Sequence, residues 1–159
     1  MKILNKVIEY ILAVLVFVMV AGCFWQVFTR FVLNNPSQWT EELLRYALIW
    51  LTMVGVPYAY GKERHLSIGF VTNTFSKKGT VLDQIFIEIV VLALSIFVMT
   101  AGGYMVVVNA AGQVSPALHL PMEIYYLGIP VCGVLMILYS SQRLVRFVKE
   151  YALMKKEGK

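Results

Sequence analysis

Two carboxylates and two guanidinium groups crowd one short part of this chain. In NNPSQWTEELLRYALIW, residues 34–50, Glu41, Glu42 and Arg45 precede sixteen residues without a charge, and Arg30 stands just upstream. Glu41 and Arg45 are four apart, and Glu42 and Arg45 three apart, so either pair can meet on one helix face. Groups of this kind can staple a hairpin together or hold a partner's charge. Other chemistry is sparse. There are two histidines, His65 and His119, and two cysteines, Cys23 and Cys132, with no zinc-like spacing. No phosphate-binding loop and no nucleophile elbow occurs. The sequence therefore offers no catalytic, cofactor-binding or metal-ligating set, and it does not read as an enzyme. Each cysteine reads as a small packing residue.

The elements that position these groups follow from where charge is missing. Apolar residues make up 59% of the 159-residue chain and charged residues 14%, with a mean hydropathy of +0.72. A soluble domain carries roughly 25% charged residues. Residues 10–29, 46–61, 89–122 and 124–142 carry no charge. A membrane helix needs about 20 mainly apolar residues, and continuous rather than alternating runs favour helices over a barrel. The expectation is an all-α integral membrane protein, one four-helix domain over 1–159. Its spans fall at about 8–30, 42–61, 85–108 and 123–143, with a basic tail over 144–159. Of the 14 Lys and Arg, twelve fall on one side of that arrangement and only Arg30 and Arg45 on the other. Counting positive residues places both termini and the middle connection in the cytoplasm. The net charge of +5 is thus a topology and lipid-headgroup signal, and nucleic acid is not expected as a partner. In that topology His65 and His119 lie on opposite sides of the bilayer and cannot share a metal or a haem.

Several local features carry expectations of their own. VAGC, residues 20–23, resembles a lipoprotein cleavage box, but FWQVFTRFVL continues the apolar run beyond Cys23, and the segment is expected to stay attached. Thr40 can cap a helix starting at Glu41, whose carboxylate suits the positive end of the helix dipole. An Arg30 or Arg45 pair with Glu41 or Glu42 is expected to join the first two helices. Trp39 is placed as an interfacial anchor. Gly55 and Ala59, Gly128 and Cys132, and the Gly102-Gly103 pair offer close packing surfaces. Pro130 can kink the fourth span. His65, in GKERHLSIGF, reads as a loop or interfacial residue, or as a contact to a partner or headgroup.

Order and spacing over residues 5–150 resemble the small membrane subunit of tripartite ATP-independent periplasmic (TRAP) transporters. The residues that carry the likeness are Arg30, Trp39, Glu41-Glu42-Leu43, Gly55 and Lys62 to His65. In the second half they are SPALHLPMEIYYLGIPVCGVLM, with Pro121, Pro130 and the Leu-Met pair. Gly69 stands where members often carry an Asp after the histidine, and Glu123 where an aromatic is common. The resemblance implies a subunit of the bacterial cytoplasmic membrane with three partners: a large membrane subunit, a periplasmic substrate-binding protein and membrane lipids. It implies that sodium binds the large subunit, that this chain holds no cofactor, and that it enlarges a static scaffold for organic-acid uptake. The competing readings are an autonomous small carrier or proton-coupled exporter, in which Glu9 or Glu88 would act within the membrane, and a membrane redox or quinone protein.

Overall fold

A computed structural model of the chain describes residues 2–35, 37–62 and 77–157. Helix α1 is Lys2–Phe31, α2 is Gln38–Lys62 and α3 is Lys77–Leu94. A π-helical segment, Ser95–Gly102, leads directly into α4, Gly103–Asn109. A short α5, Met122–Tyr126, precedes the long α6, Gly128–Glu157. The protein is an all-α membrane protein: four stretches are long and apolar enough to span, Ile3–Phe31, Gln38–Lys62, Val81–Asn109 and Met122–Met154. In hydrocarbon a backbone must satisfy its own hydrogen bonds, and uninterrupted helices do so. Helix α1 runs unbroken through Cys23. Helix α6 continues through Glu157, so most of the expected basic tail is helical.

The helices pack in a row. Helix α1 lies against α2, α2 against α6, and α6 against α3 and the π-segment. Glycine permits close approach between α6 and the π-segment. A Cβ on Gly133 of α6 would stand 2.6 Å from Thr100 Oγ1 and 3.0 Å from both Thr100 N and Met99 Cβ. The wide π turn therefore seats against α6 because position 133 has no side chain. Inside that turn Thr100 Oγ1 donates to Ser95 O at 2.9 Å, and Ser95 Oγ donates to Val91 O at 2.7 Å. Gly103 does the same one level away, where a Cβ would lie 2.9 Å from Ile129 Cγ2 and 3.1 Å from Pro130 N. Pro130 has no N–H to offer Tyr126. The helix accordingly breaks at Leu127, so the expected kink takes the form of a division into α5 and α6.

Charged or polar residues mark both rims of an apolar band. Glu9 and Arg30, Glu41 and Lys62, and Glu88 and Asn109 are each 21 residue steps apart. At about 1.5 Å per residue that is about 32 Å, close to the roughly 30 Å of a hydrocarbon core. A single row has few interior positions, and large apolar side chains lie mostly outside. Phe17, Phe24, Phe86 and Phe97 are all at least 66% exposed, which is a surface for lipid or for another membrane protein.

Candidate functional site

Helix α2 builds the rim at the loop end. It begins at Gln38, earlier than the sequence suggested, so Thr40 falls inside the first turn and is buried rather than capping. Ser37 takes the flanking position, with its Oγ 2.6 Å from Thr40 Oγ1. Residues 41 and 45 share a face, and Arg45 Nη2 donates to Glu41 Oε1 at 3.1 Å with both side chains largely exposed. The expected link between the first two helices is therefore not an ion pair. Arg45 and Glu41 pair within α2, and an exposed pair of this kind contributes little. Arg30 makes no ion pair among the described residues and lies 5.9 Å from the centroid of its neighbour Phe31's ring. It closes the last turn of α1, where a cation suits the dipole.

Glu42 lies one residue round the helix and faces the other way. Its Oε2 accepts from Ala117 N at 2.8 Å and Leu118 N at 3.0 Å. One turn further along α2, Tyr46 donates to Met122 Sδ at 3.5 Å and meets Tyr125 edge to face, 4.7 Å between centroids. Glu42 and Tyr46 thus hold the loop 110–121 and the start of α5. That loop is closed from within by Ser115 N to Leu120 O at 2.9 Å and by Met122 N to Gln113 O at 2.9 Å. Its sharp turns use Gly112 at φ 80° and His119 at φ 52°. Pro121 flanks α5 and Glu123 sits in its first turn. Trp39 and Trp25 are half exposed and line one cleft with Thr29, Leu33, Asn35 and Ser37. The spacing of Glu42 and Tyr46, four apart, is the sequence signal for this face; only their partner loop was not legible.

A second polar layer, at the end of the row holding both termini, escaped the sequence reading. Glu88 is buried, 1% exposed. Its Oε1 accepts from Arg143 Nε at 2.8 Å. Its Oε2 accepts from Tyr60 OH at 2.8 Å and Ser140 Oγ at 2.7 Å. Arg143 in turn donates to Tyr60 O at 3.1 Å and stacks 4.5 Å from the Tyr60 ring centroid. The group joins α2, α3 and α6. Helix α1 is tied to the same level by Glu9, which pairs with Lys62 at 2.5 Å and accepts from Tyr58 OH, and by Asn5 Oδ1, which accepts from Tyr139 OH at 2.6 Å. The signal was present: Ser140 and Arg143 are three apart and share a face of α6.

Gly55 faces α1, where a Cβ would lie 3.7 Å from Leu12 Cδ2. Cys132 is buried, as expected of a small packing residue, whereas Cys23 is exposed on α1 and is not packed inside the row. His65 lies outside the described residues. Chemically, the two layers fix helices: the buried carboxylate has both oxygens occupied by protein donors.

Residues 19–150 match the family described as tripartite ATP-independent periplasmic transporters, DctQ component. The chain is 29% identical over 148 residues to the sialic acid TRAP transporter small permease protein SiaQ of Vibrio cholerae, covering 93% of this chain and 85% of that protein. It is 24% identical over its whole length to the sialic acid TRAP transporter permease protein SiaT of Haemophilus influenzae, and there spans 24% of the relative. It is 28% identical over 112 residues to the isethionate TRAP transporter permease protein DctMQ of Oleidesulfovibrio alaskensis, covering 70% of this chain and 18% of the relative.

Proposed function

The chain belongs to the DctQ component family of the tripartite ATP-independent periplasmic transporters, and from that premise we propose that it serves as the static, accessory part of a sodium-driven organic-acid importer. It is a small TRAP membrane subunit, a multi-pass protein of the inner membrane. The large membrane subunit is its partner: SiaT and DctMQ carry a region like this chain as a minor part of a much longer permease polypeptide. A periplasmic binding protein supplies the substrate to the pair. The substrate is an organic acid, a C4-dicarboxylate or a sugar acid such as sialic acid; sialic acid in relatives' names supports the sugar-acid reading, and isethionate, a sulfonate, in another's name supports only the broader class of organic acids. Sodium binds the large subunit.

The observation that carries the accessory role is the state of Glu88. It is the buried carboxylate among the described residues, and Arg143, Tyr60 and Ser140 occupy both its oxygens. Coupled carriers place free ionisable groups or paired broken helices near the midplane. Here the charge is held at the rim and already neutralised. The broad apolar outer face of the row, by contrast, suits a large membrane partner. When this chain is tagged and coexpressed with the large subunit of its own system, the two are expected to purify together in constant proportion. Recovery of this chain alone, under detergents that keep the large subunit soluble, would oppose the reading.

The basic asymmetry orients the row in the bilayer, with both termini cytoplasmic. A thiol introduced as Asn35→Cys, in a background of Cys23→Ser and Cys132→Ala, is expected to react with an impermeant maleimide added to intact spheroplasts. Reaction only after the cytoplasmic face is opened would reverse the orientation.

A further inference from the structure

Span three is longer than the membrane requires. Val81–Asn109 is a 29-residue helix, longer than the Glu88–Asn109 band that matches the hydrocarbon core; a span longer than the core can tilt, and a fixed point must decide which part of it lies inside. Ile85, Phe86 and Ile87 precede Glu88, and the next polar groups toward the chain's second helix are Gln84 and Asp83. With Glu88 absent, nothing in the composition would stop those three apolar residues from entering the bilayer.

Glu88 is held from two neighbouring spans at once. Arg143 and Ser140 come from α6 and Tyr60 from α2. Tyr60 is two residues from Lys62, whose pair with Glu9 fixes the rim on α1 and α2. The level of Glu88 is thereby tied to the rim of the other three helices. A charge at this depth is tolerated when paired and is costly when not.

We propose that the Glu88–Arg143 pair sets the depth at which span three sits in the membrane. It pins Glu88 to the rim and keeps residues 81–87 outside. That depth in turn centres the π-segment in the bilayer and brings Thr100 to Gly133 and Gly103 to Pro130. The glycine contacts are the rival determinant, because they alone could impose the same register. The inference concerns this chain's own helices and holds whether or not the accessory role does.

The test is a depth measurement on the full chain in native membranes lacking Cys23 and Cys132. Single thiols replace outward-facing residues, as Leu82→Cys, Phe86→Cys, Ile87→Cys, Ile89→Cys and Val90→Cys, and are labelled with an impermeant maleimide from the side holding the termini. In the parent, labelling stops near position 88. In Glu88→Leu the limit is expected to move back by about one helical turn, roughly four residues, to the level of Gln84 and Asp83. Glu88→Leu/Arg143→Leu leaves no orphaned charge, so it should accumulate and show the same shift. The reversed pair Glu88→Arg/Arg143→Glu should return the limit to its original place. If the pair merely stabilises, its removal lowers Tm and leaves the limit where it is. An unchanged limit in either leucine variant, or loss of the double variant from the membrane, overturns the proposal.

Discussion

Arg143→Ala is expected to destabilise the purified protein by about 3–5 kcal/mol, the range for removing one partner of a buried ion pair. The cost arises from what remains. Glu88 is almost wholly buried, and without Arg143 its Oε1 loses the guanidinium 2.8 Å away. Tyr60 and Ser140 still donate to Oε2, but neither supplies a positive charge. The Tyr60 carbonyl also loses its donor and the Tyr60 ring its stacked cation. Glu88→Ala should cost less than Arg143→Ala, because Arg143 is 21% exposed and its long side chain can reach the headgroups when unpaired. Replacing both by apolar residues of similar size should recover most of the loss. Thermal unfolding in one detergent ranks the variants. Arg143→Ala unfolding at the parent's temperature would mean that the pair is not formed.

Gly133→Ala should cost on the order of 1–3 kcal/mol, the range for overpacking a well-filled site. The new methyl meets the Thr100 hydroxyl, which can rotate, but also the Thr100 backbone nitrogen and the Met99 Cβ, which cannot move unless the π-segment does. Thr100→Ala in the same chain should relieve part of the cost, so the pair of substitutions should be less than additive. Gly55→Ala is the control, since its Cβ would make only an ordinary 3.7 Å contact with Leu12. The same unfolding measurement applies. Equal behaviour of the Gly133 and Gly55 variants would contradict the close seating of the π-segment on α6.

What the sequence disclosed, and what it hid, divides along physical lines. Long apolar runs declare spans, because a bilayer demands them whatever packs beside them. The four helices were therefore legible from charge gaps alone. Short-range pairing was legible too: Glu41 and Arg45 meet because four residues make one turn. Packing order was not. Gly103 and Gly133 stand out as small residues, but nothing local says that one faces Pro130 and the other Thr100. The π-segment has no composition of its own, and its only local trace is a hydroxyl at Thr100 five residues from the Ser95 carbonyl that it bonds. Glu88 illustrates the same limit. Read along the chain, it is a charge near the start of a span; its meaning comes from Tyr60 and Arg143, which are 28 and 55 positions away. Glu42 looked like half of a surface pair, and its real partners are two backbone amides in a loop 75 and 76 positions on.

The central claim is that this chain carries no transport cycle of its own and yet is needed by one. Reconstitution tests both halves. Proteoliposomes holding this chain alone, given an inward sodium gradient and a labelled organic acid, should take up nothing above empty vesicles. Vesicles holding the large subunit with the loaded binding protein should gain uptake only when this chain is included. Accumulation of the acid by this chain alone, or equal uptake by the other two components without it, would contradict the account.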